Sequence, residues 1–85
     1  MENRIFMIDD FSGTGNIKLM DNMNLIEGKN NKDALNNYLK KIGKKLNVKC
    51  SADNNVQFGI TPMIKYNGQI LIDGRKRMSW YKIIN

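Results

Sequence analysis

Eighty-five residues with 41% hydrophobic and 26% charged side chains describe one domain, residues 1–85, whose core draws on about two-thirds of the unfolded surface, and exclude a disordered chain. The single Cys50 excludes an internal disulfide, and with no His anywhere a zinc site lacks its usual ligands and a Cys–His nucleophile pair lacks its base. The net charge of +6 is lopsided: residues 1–33 hold four Lys/Arg against six Asp/Glu, whereas residues 34–85 hold ten against two, a bias that draws anionic partners.

In chain order, Ile5-Phe6-Met7-Ile8 is a short apolar run closed by Asp9-Asp10, which reads as a buried strand. Four apolar residues are too few for a signal peptide, and no stretch approaches the ~20 needed to span a bilayer, so a soluble cytoplasmic protein is expected. Gly13-Thr14-Gly15 reads as a loop; it lacks the Lys and Ser/Thr of a phosphate-binding P-loop. Ile17-Lys18-Leu19 and Met23-Asn24-Leu25 alternate as half-buried strands do, and Asp21-Asn22 between them suggests a hairpin over residues 16–26.

The next segment predicts a helix over about residues 31–43. Asn30 can cap its start, Asp33 complements the dipole in the first turn, and Gly43 supplies the stop. Ala34, Leu35, Tyr38, Leu39 and Ile42 fall on one face at helical spacing, and this marks them as core. Lys32, Asn36, Asn37, Lys40 and Lys41 occupy the other face.

Val48 and Cys50 suggest a short strand, Ser51 to Asn55 a turn, and Val56, Phe58 and Ile60 a half-buried strand. Pro62 cannot donate to a ladder and is expected at an edge or a bend. Asn67-Gly68 is the strongest hairpin signal, and Asp73-Gly74 repeats it. If both are two-residue turns, Tyr66 pairs with Gln69 and Ile72 with Arg75, but neither face of the resulting meander is then apolar. Either the second turn is wider, with Arg75-Lys76-Arg77 in or beside a loop, or the meander rises past the end of the helix with one face wet. The fold class expected is α+β: an antiparallel sheet of about five to six strands with a single helix packed on one face.

Two basic constellations carry the functional reading. Arg75, Lys76 and Arg77 sit beside Trp80 and Tyr81, and arginine forks near aromatic rings are equipped to grip phosphate and stack on unpaired bases. Lys40, Lys41, Lys44, Lys45 and Lys49 form a second cluster at and beyond the helix end, where dipole and solvent already account for cations. If both clusters share one surface, five or six phosphate contacts become available. The 13 Asn, 11 Lys and 11 Ile have AT-rich codons, which accounts for part of the Lys content without any binding role. Asp9 and Asp10 follow a buried strand, where paired carboxylates sometimes hold a divalent ion with a third acid such as Asp73 and could serve a small enzyme, but nothing in their spacing favours it.

In size, composition and lack of an enzyme signature the chain resembles the small accessory proteins that phages and mobile elements encode in low-GC bacteria, including inhibitors of host defence such as anti-CRISPR proteins. The resemblance is one of general character and carries no residue positions. The expectation is a non-enzymatic protein without cofactor or metal whose basic C-terminal half binds nucleic acid or a nucleoprotein. The alternative is a stoichiometric inhibitor that docks a host enzyme through a sheet edge or the aromatics Trp80 and Tyr81.

Overall fold

The computed structural model describes residues 3–12, 24–53 and 55–84. Its elements are β1 (Arg4–Asp10), β2 (Asn24–Gly28), α1 (Asn31–Lys41), β3 (Val48–Cys50), β4 (Phe58–Tyr66), β5 (Gln69–Ile72) and β6 (Ser79–Ile83). One helix and a six-stranded antiparallel sheet make the α+β architecture that the sequence implies. Gly13-Thr14-Gly15 and the first strand and turn of the hairpin expected over residues 16–26 lie outside the described residues. The strand that is described there, β2, pairs with β1 in the register Phe6↔Ile26.

Strand order is β2-β1-β4-β6-β3, and β5 also pairs with β4. Alternation along each strand sends Phe6, Ile8, Phe58, Ile60 and Tyr81 to one face, where α1 covers them with Ala34, Leu35, Tyr38 and Leu39. Ile5 and Met7 point to the opposite face and are half-buried, so the apolar run at the start of β1 serves both faces of the sheet. Each fully buried Leu, Ile or Phe contributes about 1.5–3 kcal/mol.

Both ends of α1 follow from local chemistry. Asn30 Oδ1 accepts from the Asp33 N–H at 2.8 Å, and Asp33 Oδ2 accepts from the Lys29 N–H at 2.8 Å, which satisfies two backbone donors near the helix start. At the other end Gly43 adopts φ 74°. The Lys44 N–H then reaches the Leu39 carbonyl at 2.9 Å and the Gly43 N–H reaches the Lys40 carbonyl at 3.1 Å, a Schellman closure.

Asn67 (φ 50°) and Gly68 (φ 78°) form the two-residue turn that joins β4 to β5 in the expected register Tyr66↔Gln69. The second connection is the wider one of the two arrangements that the conflict between the faces left open. Ile72 pairs with Met63 and Ser79 with Ile60, so residues 73–78 bulge out opposite only Thr61 and Pro62. Met63 also pairs with Ile5 of β1, which puts β5 and β6 end to end along the other edge of β4. The pairing of Ile72 with Arg75 is thereby replaced by the wider loop.

Pro62 sits inside the central strand rather than at an edge, and the bulge explains why it is tolerated. Its carbonyl accepts from the Asp73 N–H at 2.9 Å. The backbone groups of one antiparallel residue point the same way, so the missing N–H faces the bulge, where no ladder is broken.

Candidate basic surface

The bulge is framed by Asp73, which is 5% exposed. Its carboxylate accepts from the Arg75 N–H and from Arg75 Nε, each at 3.1 Å, and its carbonyl accepts from the Lys76 N–H at 3.1 Å. Hydrogen bonds from the Arg75 side chain and backbone hold the Asp73 carboxyl below the usual carboxylate range. Arg75 is thus half committed to the fold, although its side chain stays 76% exposed.

Beyond this turn the chain carries Lys76 and Arg77 toward the start of α1. They line an open groove of about 370 Å³ together with Arg4, Asn31, Pro62 and Ser79. Asn31 Nδ2 donates to Ser79 Oγ across this groove and ties the helix start to β6. A second groove shares Arg4 and Lys76 and adds Lys65 and Arg75. Arg4, Lys65, Arg75, Lys76 and Arg77 therefore gather at one end of the molecule, and the acid among them is Asp73.

Sequence reasoning missed Arg4 and Lys65. The signal lies in the pairing of β1 with β4, whose register Ile5↔Met63 brings the start of one strand beside the far part of the other. These strands are separated by about half the chain, and no spacing within either announces the contact.

The helix-end lysines are somewhere else. Lys40, Lys44 and Lys45 line a groove with Leu39 and Leu46, and Lys41 is in the last turn of α1. The bulge residues lie at the first turn, so the length of an 11-residue helix, about 16 Å, separates the two groups. The shared surface on which five or six phosphate contacts depended does not form from them. Lys49 is exposed on β3 opposite Lys82, whose Nζ holds Asp53 Oδ2 at 3.0 Å. The Asn55 N–H, Lys82 and Ser51 together lower the Asp53 carboxyl to about 2.

Trp80 and Tyr81 separate by alternation. Tyr81 is 8% exposed and packs in the core beneath α1, so its ring is not offered to a partner. Burial pushes its hydroxyl above the ordinary tyrosine range. Trp80 is 39% exposed and lies on the sheet face away from α1, across Gly59. A Cβ at Gly59 would meet Trp80 Cζ3 at 2.9 Å, so the missing side chain is what lets the indole lie flat there. The aromatic and basic groups of the C-terminal segment are thus on different faces.

The acids of β1 are also separated. Asp10 is 4% exposed on the α1 side and accepts from Tyr38 Oη at 2.9 Å and from Ser12 Oγ at 2.6 Å. Burial and this bond raise the Tyr38 hydroxyl well above its ordinary range. Asp9 points to the other face, where burial raises its carboxyl. Asp73 stands beside Pro62, four strand positions from Phe58, the partner of Asp10. Among the described residues no three His, Cys, Asp or Glu side chains converge on a point that would hold a metal ion. Among the same residues no helix is long and apolar enough to cross a membrane.

No protein-family model, no curated protein and no solved structure matches this chain, so its functional reading rests on the geometry of the basic end.

Proposed function

We propose that the chain is a non-enzymatic module that binds nucleic acid, free or within a nucleoprotein, through Arg4, Lys65, Lys76 and Arg77 around the bulge. The observation that supports this reading is the convergence, among the described residues, of five cations and the acid Asp73 from three separate segments. Arg4 and Arg77 supply planar forks suited to phosphate, and the open groove between them leaves the donors reachable. Arg75 contributes mainly by fixing Asp73 and the loop. The lysines beyond α1 add to the long-range field that steers an anion toward the molecule.

The test is a salt titration of binding to a short labelled oligonucleotide. Three to four phosphate contacts give a log–log slope of about −3 to −4 on a duplex. A slope near zero, or no binding at low salt, rejects the reading.

A second reading is favoured by Trp80, whose exposed ring borders a shallow depression formed by Ser51, Asp53 and Val56. An exposed Trp is a frequent anchor of protein interfaces. On this reading the chain is a stoichiometric inhibitor of a host enzyme, of the kind phages and mobile elements use against host defence, anti-CRISPR proteins among them. The exposed free Cys50 suits a reducing cytoplasm under either reading.

A further inference from the structure

We infer that the ligand of the basic end is single-stranded nucleic acid, with an unpaired base stacked on Tyr66; this rests on the nucleic-acid reading above. The β4–β5 hairpin continues past its neighbour: β1 pairs with β4 only as far as Ile5↔Met63, so Ile64 to Tyr66 pair with β5 alone. At its far end Tyr66 is 64% exposed, and Leu71 on the returning strand is 44% exposed. An exposed ring on the same sheet face as a basic groove suits a ligand that offers both charge and an apolar face.

The placement is specific. Along β4, Phe58, Ile60, Pro62, Ile64 and Tyr66 share the face that α1 covers further back. Arg4 follows the same alternation from Phe6 and falls level with Ile64, whose cross-strand partner is Leu71. Arg4 and Pro62, which line the groove with Lys76 and Arg77, therefore share a sheet face with Ile64, Leu71 and Tyr66. From Pro62 in the groove to Tyr66 is four residues of strand, about 13 Å. Gln69, the cross-strand partner of Tyr66, is exposed on the same face and presents an amide to a base edge.

Duplex DNA fits this arrangement poorly. Its base faces are buried in the stack, and what it presents to a protein is phosphate and groove edge, neither of which uses a bare phenol ring. A single strand exposes phosphates and π-faces together, and stacking on aromatic rings is the common mode of sequence-tolerant recognition. Tyr66 takes the role that Trp80 and Tyr81 suggest in the linear sequence, because those rings lie across the sheet and in the core.

The experiment is fluorescence anisotropy with a labelled oligodeoxythymidylate, a duplex of the same length, and poly-L-glutamate as an unlabelled competitor. Expected are single-strand binding about tenfold tighter than duplex binding and a roughly tenfold loss of single-strand affinity on Tyr66→Ala. Tyr66→Phe keeps the ring and retains the affinity, and Tyr66→Ala leaves both the salt slope and the duplex affinity unchanged. Thermal melts confirm that each variant is folded. Binding of both oligonucleotides with no response to Tyr66→Ala overturns the inference while the basic-groove reading survives. Displacement by poly-L-glutamate as efficient as by unlabelled oligodeoxythymidylate also overturns it and points to an acidic protein surface. Absence of binding to either oligonucleotide overturns both readings.

Discussion

The two basic ends of this molecule are built in opposite ways. At the C-terminal end of α1, Lys40, Lys41, Lys44 and Lys45 are near neighbours in sequence, and a locally closed helix terminus presents them to solvent. At the bulge, Arg4, Lys65 and Arg75 to Arg77 come from β1, β4 and the loop before β6, brought together by sheet pairing. The first group is what a helix end accumulates for its own reasons, since cations there complement the dipole. The second sets Arg4, Lys76 and Arg77 in one groove with the start of α1, where the helix dipole disfavours cations and favours an anion.

The most forceful way to break this contrast is to neutralise each end in turn. Arg4→Gln/Lys76→Gln/Arg77→Gln is expected to weaken oligonucleotide binding on the order of a hundredfold at low salt and to flatten the salt slope by about three. Lys40→Gln/Lys41→Gln/Lys44→Gln removes the same charge and is expected to cost about threefold or less. Equal losses in anisotropy titrations would show that only net charge matters.

A second comparison sets the two ends of the helix against each other through their glycines. A Cβ at Gly28 would lie 2.6 Å from the Ala34 backbone nitrogen and 2.7 Å from its Cα, and backbone cannot move aside without shifting α1 from β2. Gly28→Ala is expected to cost about 2–3 kcal/mol in urea unfolding. Gly43 has nothing within reach of a Cβ, only a left-handed φ. Gly43→Ala is expected to cost about 1 kcal/mol. The tertiary contact at the start of the helix should therefore outweigh the local strain at its end, and the reverse order would contradict this account.

The finest test separates charge from position at the bulge itself. Removing an acid from a basic surface raises polyanion affinity if charge alone decides. Asp73 instead holds the loop through its carboxylate, which accepts from the Arg75 N–H and Nε, whereas its backbone bonds to Lys76 and Pro62 survive the substitution, so Asp73→Ala is expected to lower oligonucleotide affinity by about threefold. A gain in affinity would show that the loop needs no frame.

Much of the fold is legible in the sequence because its signals are short-range. Asn30 and Asp33 mark the helix start, Gly43 its end, and the spacing of Ala34, Leu35, Tyr38 and Leu39 marks its buried face. Asn67-Gly68 fixes one hairpin because both residues tolerate positive φ. Asp73-Gly74 is also a favoured hairpin pair and does not make the same turn. The chain does not reverse there: it keeps its direction past Pro62, leaves the ladder over residues 73–78 and rejoins β4 at Ser79. A dipeptide shows what turn is available, and the facing strand decides whether that turn is used.

The candidate site was less legible. The charge asymmetry pointed to Arg75, Lys76 and Arg77, and the structure places them on a loop that reaches toward the start of α1. It also points to Lys40 to Lys45, which lie at the other end of the helix, and to Tyr81, which alternation sends into the core. Arg4 belongs to the acidic first third of the chain and Lys65 has no basic neighbour, so no composition window would have selected either.

By itself the sequence determined the helix and its apolar face, the Asn67-Gly68 hairpin and the general character of an α+β sheet. Capping, periodicity and turn chemistry act over a few residues and need no partner. Only the tertiary structure decided which strands are neighbours, and with that the bulge opposite Thr61 and Pro62, the approach of Arg4 to Lys76, and the separation of the two basic ends. Register between distant strands is set by packing of the whole sheet against α1, a global condition that no local window of residues contains.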